Sequence, residues 1–321
     1  MTTKHWNHNS PLDQPLQWEE PQGVWVHDLF IFNEGATTES IAAKFGVMAA
    51  CPQHTFWVLL ESEKELALAK WFFGWVDEKV LWHRENDEGN WLFDTRRPHH
   101  AWPIHYVMEW LSRNTTHLSF QENVSKTWPL PNVRLGVQVE DQDMADLRVS
   151  LLLWLPAAVR WVNYEARGPV DFKRVPLLSP SGRILISPGL FNPLVGGGRK
   201  TSTPWRIDWV SISGHRDPEG VPFNLNWARD VIRQCREAAV PVYVKQLGEA
   251  PYECDRMDLA WPAGSKSEPF PEGGGSAMRA ILRDPCGADP AEWPEDLRVR
   301  ETIPNPNQSK EPENELERPS F

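Results

Sequence analysis

The stretch VRLGVQVEDQDMADLRVSLLLWLPAAVRWVNYE, residues 133–165, reads as strand, helix, strand. Val133–Val139 and Val159–Glu165 are apolar on successive positions rather than alternate ones, the pattern of strands buried on both faces. Residues 143–153 between them carry helical spacing. Two parallel strands joined through a helix make a right-handed crossover. The same rhythm extends in both directions. Strands are predicted at 23–30, 54–60, 208–213 and Val242–Gln246. Helices are predicted at Thr38–Ala50, 64–76, 104–111 and 226–238. Ser62 stands as an N-cap with Glu65 three residues on, and Pro241 stops the last helix. Strands alternating with helices imply an α/β fold with a parallel sheet, open or barrel-like.

Two segments interrupt this rhythm. Residues 82–128 are polar, Trp-rich and contain His99-His100. Residues 167–206 are rich in Pro and Gly and include Gly196-Gly197-Gly198-Arg199-Lys200. Loops that leave the C-terminal ends of parallel strands make the active face of such folds. The expected organisation is an N-terminal arm at 1–12, a partial (β/α) barrel at 13–248, a Pro/Gly-rich extension packed on it at 249–303, and a disordered tail at 304–321.

With 40% hydrophobic and 24% charged residues, the 321-residue chain reads as globular. No apolar run approaches the ~20 residues of a membrane span, and MTTKHWNHNS has no signal-peptide pattern. A cytoplasmic location without membrane contact is expected. The net charge of −11 argues against generic nucleic-acid binding over the whole surface. Residues 160–206, however, hold eight basic and two acidic side chains. That local basic loop suits phosphate or an acidic partner face. The four cysteines, Cys51, Cys235, Cys254 and Cys286, show no CxxC or CxxxC spacing and read as reduced thiols. Eighteen tryptophans predict a large aromatic core.

FGVMAACPQHTF (45–56), LPNVRLGVQVEDQ (130–142), PAAVRWVNYEARGPVDF (156–172), NWARDVIRQCREAAVPVYVKQLG (226–248) and DPCGADPAEWPEDLRVRE (284–301) together resemble the phage gene-product thirty-seven/sixty-eight family, a radical-SAM-like family. The resemblance runs from about residue 13 to about residue 303. It implies a partial (β/α) barrel of radical-SAM type, with CxxxCxxC after the first strand holding a [4Fe–4S] cluster that binds S-adenosylmethionine. Here DQPLQW begins at Asp13, so the first strand and its cysteine loop are expected to be missing. The strand ends also differ from the family's. Leu60-Glu61-Ser62-Glu63 stands where Thr-Lys-Arg-Pro is usual. Asn163-Tyr164-Glu165-Ala166 replaces Ser-Ala-Glu-Pro, and Ser213-Gly214-His215-Arg216-Asp217 replaces Gly-Gly-Glu-Ser-Gly. Gly136, Glu140, Asp141, Gln142, Glu165, Lys245, Gln246 and Gly248 keep the family pattern.

Candidate ligand-binding residues at strand C-terminal ends are Asp28, Gln138, Glu140, Glu165, His215 and Lys245. Arg167, Arg199 and Lys200 are candidates to face phosphate. Glu165 ends a buried strand and needs a partner, for which Arg167 and Lys245 are the candidates. Glu140, Asp141, Asp143 and Asp146 suit the positive end of a helix better than a metal. No metal site and no catalytic residue is assigned.

The leading expectation is a cluster-less radical-SAM-like pseudoenzyme, acting as a partner or regulatory subunit and needing no cofactor as an isolated chain. One alternative is the larger half of a split radical-SAM enzyme that modifies a nucleotide or nucleic acid. A small CxxxCxxC-bearing protein would complete it at the open edge of 23–30, an edge that self-association could also cover. The other alternative is a small-ligand binding module.

Overall fold

The computed structural model describes residues 3–26, 31–33, 35–73, 98–114, 128–179, 181–196, 205–215, 222–253, 261–262, 265–270 and 277–303. Its strands are β1 (Thr3–Trp6), β2 (Gly23–Val26), β3 (Thr55–Leu60), β4 (Val133–Val139), β5 (Val159–Glu165), β6 (Leu177–Leu178), β7 (Ile184–Ile186), β8 (Trp209–Ser213), β9 (Phe223–Asn224), β10 (Val242–Gln246), β11 (Pro251–Glu253), β12 (Lys266–Pro269) and β13 (Met278–Ile281). Seven of them form one parallel sheet in the order β1-β2-β3-β4-β5-β8-β10.

Its helices are α1 (Thr38–Ala50), α2 (Glu63–Phe72), α3 (Pro98–Asn114), α4 and α5 (Leu225–Glu237). Helix α4 starts as Gln142–Met144, widens to a π turn over Ala145–Val149 and returns to α geometry over Ser150–Trp154. The expected caps form. Glu65 N–H donates to Ser62 Oγ at 3.2 Å, and Ser62 N–H donates back to Glu65 Oε2 at 2.9 Å.

The sheet has two different apolar faces. Val24, Phe56, Val58, Leu135, Val137, Val162, Val210 and Val244 join the helices in the main core. Residues of the opposite parity form a second cluster built on Leu59, Trp161 and Trp209, with Trp25, Trp57 and Tyr243 packed against it. This second face is concave. Lys245 Nζ on β10 lies 5.8 Å from the ring centre of Trp25 on β2, although four strands separate β2 and β10 in the sheet. Only a sheet curled into a half-barrel brings those positions together.

A glycine makes that curl possible. Gly136 on β4 is the register neighbour of Trp161 on β5. The indole lies across Gly136, and a Cβ there would sit 2.3 Å from Trp161 Cε2. The ring thereby reaches Trp57 and Trp25, each at 5.5 Å between centroids in edge-to-face geometry. Its N–H donates to the Arg134 carbonyl at 3.3 Å. The Arg134 guanidinium stacks 4.4 Å from the Trp57 ring centre. The tryptophans thus fill the concave floor.

The expected open edge at β2 is corrected. Thr3–Trp6 pairs with Gly23–Val26 in parallel register. Trp6 is fully buried in the main core, and its ring centre lies 5.9 Å from that of Phe56. A four-residue strand flanked by polar Asn and His carries almost no periodic signal, so the burial of one indole decides its place. Behind it, buried His54 fixes the turn at Gln14–Gln17. Its Nδ1 accepts from Gln22 N–H at 3.2 Å, and its Nε2 lies 3.1 Å from Pro15 O. Burial holds this imidazole below its ordinary pKa, consistent with a neutral ring.

The far edge is covered by the C-terminal segment. Val244 N–H donates to Val299 O at 2.8 Å, and Glu301 N–H donates to Val242 O at 3.0 Å. Trp209 Nε1–H donates to Glu301 O at 3.0 Å, and Ile303 packs on the concave cluster. A smaller sheet, β12-β13-β11-β9, stands beside α5. One ion-pair network fixes it there. Fully buried Glu253 on β11 pairs with Arg229 Nη1 at 2.6 Å and accepts from Trp261 Nε1 at 3.2 Å, while Arg229 Nε reaches Asp296 at 2.6 Å.

Two substitutions test this architecture by denaturant unfolding. Gly136→Ala is expected to cost about 1–3 kcal/mol through overpacking. The loss is expected to shrink in a Trp161→Leu background, since the clash needs both partners. Glu253→Ala removes the buried acceptor of Arg229 and Trp261 while leaving Arg229 its bonds to Asp296 and Asn226, and a loss of about 1–3 kcal/mol is expected.

Candidate functional site

The C-terminal ends of β4, β5, β8 and β10 converge on one polar mouth above the tryptophan floor. Period-two geometry puts Gln138, Asn163, Glu165, Ser211 and Ser213 on the concave side with Trp161 and Trp209. Asn163 Nδ2–H donates to Gln138 Oε1 at 2.6 Å, and Gln138 Nε2–H donates to Glu165 Oε2 at 2.6 Å. The other oxygen of Glu165 lies 3.8 Å from His215 Nε2. Arg167 Nη2 lies 2.7 Å from that same nitrogen, and Arg167 Nε pairs with Glu140 Oε2 at 2.9 Å. The result is a continuous polar chain: Asn163, Gln138, Glu165, His215, Arg167, Glu140.

The surrounding backbone holds these groups in place. Arg148, buried on α4, donates from Nη1 to the carbonyls of Glu61 at 2.8 Å and Gln138 at 3.0 Å. One guanidinium thus ties the ends of β3 and β4 together. On the other side, the chain after β8 crosses the chain after β10 in direct contact. A Cβ on Gly214 would lie 2.2 Å from Leu247 O, and one on Gly248 (φ +74°) would lie 2.5 Å from His215 O. Only glycine permits that approach. Gly214 N–H donates to Gln246 O at 3.1 Å, and Glu249 N–H donates to His215 O at 3.2 Å. His215 is thereby aimed into the mouth.

The sequence candidates divide clearly. Gln138, Glu140, Glu165, Arg167 and His215 come together. The partner needed by Glu165 is shared between Gln138 and His215, while Arg167 sits one step further along and bonds Glu140. Lys245 lies on the same concave side, near Trp25. Asp28, Arg199 and Lys200 lie outside the described residues, as do His27, Asp217 and the tail at 304–321. Within the acidic run, Asp141 Oδ1 caps α4 by accepting from Met144 N–H at 2.9 Å. Asp146 accepts from Gln142 Nε2 at 2.7 Å, and burial raises its pKa. The run therefore supports a helix start. Asn163 was missed as a site residue. Its spacing of two from both Trp161 and Glu165 places it on the same face and was the available signal.

The [4Fe–4S] cluster implied by the radical-SAM resemblance is not matched by the described thiols. Cys51 follows α1 and Cys235 lies near the end of α5, both at the N-terminal end of the sheet, opposite the mouth. Both are fully buried, and burial pushes each thiol up to about 12. Cys286 is partly exposed in the loop that contacts Gly248. Three thiolates cannot converge from these places. Among the described residues, no group of three or more His, Cys, Asp or Glu side chains is arranged to hold a metal ion. No described helix is long and apolar enough to cross a membrane.

Residues 1–268 match the family described as "Protein of unknown function (DUF5131)". The chain belongs to the DUF5131 family. No curated protein and no solved structure matches it. The DUF5131 match spans β1 through β11 and so contains the whole parallel sheet and every residue of the mouth. The contribution of 299–303 to the edge of that sheet falls outside it.

The thiol assignment is checked by peptide-level alkylation of the native protein. Among the described cysteines, Cys286 is expected to label first. Cys51 and Cys235 are expected to label only on unfolding, because they are buried and almost wholly protonated near neutral pH.

Proposed function

We propose that this protein is a cluster-less, phage-type relative of the radical-SAM-like barrels, acting in the bacterial cytoplasm as a non-catalytic partner or regulatory subunit. The observation that carries this reading is the composition of the mouth. Its amide, carboxylate, imidazole and guanidinium groups bond to one another across three strand ends. Cys51 and Cys235 stand at the opposite end of the sheet, and burial keeps both protonated. Such a mouth presents a preformed polar surface and offers no described thiolate ligand.

The tryptophan floor favours a second reading, a small-ligand binding module. Concave aromatic surfaces under a few oriented polar groups are common ligand sites. A split enzyme that modifies a nucleotide or nucleic acid through the 167–206 loop has weaker support. A small CxxxCxxC-bearing partner adding a strand beside β2, or a second copy of the chain doing so, would first have to displace β1.

Incubating the purified chain with iron and sulfide, then recording absorption and S-adenosylmethionine cleavage, tests the leading reading. No stoichiometric [4Fe–4S] band and no cleavage are expected. A stoichiometric cluster with cleavage would overturn it. A ligand-dependent thermal shift abolished by Glu165→Gln would instead select the binding module.

A further inference from the structure

One nitrogen of the mouth faces a cation on one side and a carboxylate on the other. Arg167 can only donate, so its 2.7 Å contact with His215 Nε2 requires a lone pair on that nitrogen. The ring is then neutral, with its hydrogen on Nδ1. Glu165 Oε1 lies 3.8 Å from the same Nε2, outside hydrogen-bond reach, and becomes its ion-pair partner only when the ring is protonated. A proton added to Nε2 removes Arg167's acceptor and sets two cationic donors face to face.

We propose that His215 and Arg167 form a proton-operated latch across the mouth. In the closed state Arg167, on the chain leaving β5, is held to His215, on the chain leaving β8. Protonation transfers the imidazolium to Glu165 and releases the guanidinium, which keeps its bond to Glu140. The charged groups around the ring support both states. Glu165 and Arg167 approach from the β5 end, and Glu140 approaches from the β4 end through Arg167. After β10, Glu249 touches His215 through a backbone bond, and Lys245 lies near Trp25. The main chain of His215 is fixed by the Gly214–Gly248 crossing, so the change falls on the side chains. The consequence is a mouth whose guanidinium is masked in one protonation state and presented in the other. The latch operates in the same way whether the mouth serves a protein partner or a small ligand.

The test is a pH series by NMR on the full chain with ¹⁵N-labelled His and Arg. At alkaline pH the neutral ring of His215 is expected as the Nδ1–H tautomer, with Nε2 carrying the lone pair. On acidification the Arg167 side-chain signals are expected to shift with the same midpoint as the ring. Glu165→Gln removes the carboxylate that favours the imidazolium and is expected to move the midpoint down. Arg167→Ala removes the competing cation and is expected to move it up. Amide spectra check that the variants are folded; if either is not, the wild-type tautomer decides alone. An Nε2–H tautomer at alkaline pH overturns the latch, as does one midpoint shared by all three folded proteins.

Discussion

The indole of Trp161 lying across Gly136 is the contact on which the rest of the structure depends. A side chain on β4 at that position would hold the ring off the sheet. Without one, the ring bridges three strands and meets Trp57 and Trp25 edge-on. Aromatic packing on one face and aliphatic packing against helices on the other give the sheet its curl. The curl in turn brings the C-terminal strand ends close enough for their side chains to bond. The polar mouth is therefore a consequence of what fills the floor beneath it.

Strands β2 and β10 are each covered by a segment from one end of the described chain. On one side β1 is anchored by a buried tryptophan, and on the other residues 299–301 bond to β10 while Ile303 packs on the concave face. An uncovered sheet edge invites pairing with other chains. Covering β2 and β10 internally makes the sheet self-sufficient there, and it weakens any scheme in which a partner supplies a strand beside β2. The Arg229–Glu253 pair extends the same arrangement by fixing the smaller sheet against α5.

Much of the fold was legible because burial on both faces leaves a strong sequence signal. Val133–Val139, Val159–Glu165, Val242–Gln246 and Thr38–Ala50 stand where continuous apolarity and helical spacing put them. Residues 208–213 and 226–238 differ from β8 and α5 by a single residue at each shifted end. The misses share a cause. Strand β1, the hairpin of β6 and β7, and the four-stranded sheet consist of two- to four-residue strands, too short to show any period. Their places are set by contacts distant in sequence, such as Trp6 against Phe56 and Glu253 against Arg229.

The candidate site divides along the same line. The sequence determined which strands end in polar groups, and it brought Gln138, Glu140, Glu165, Arg167 and His215 forward as residues at those ends. It also determined that no CxxxCxxC occurs in these 321 residues. Only the tertiary structure decided which of the polar groups meet. Glu165 bonds to Gln138 and faces His215, while Arg167 takes Glu140, because strand order and register fix which ends are neighbours. Strand order, register and the crossing at Gly214 and Gly248 are properties of the folded sheet, and no local stretch of sequence contains them.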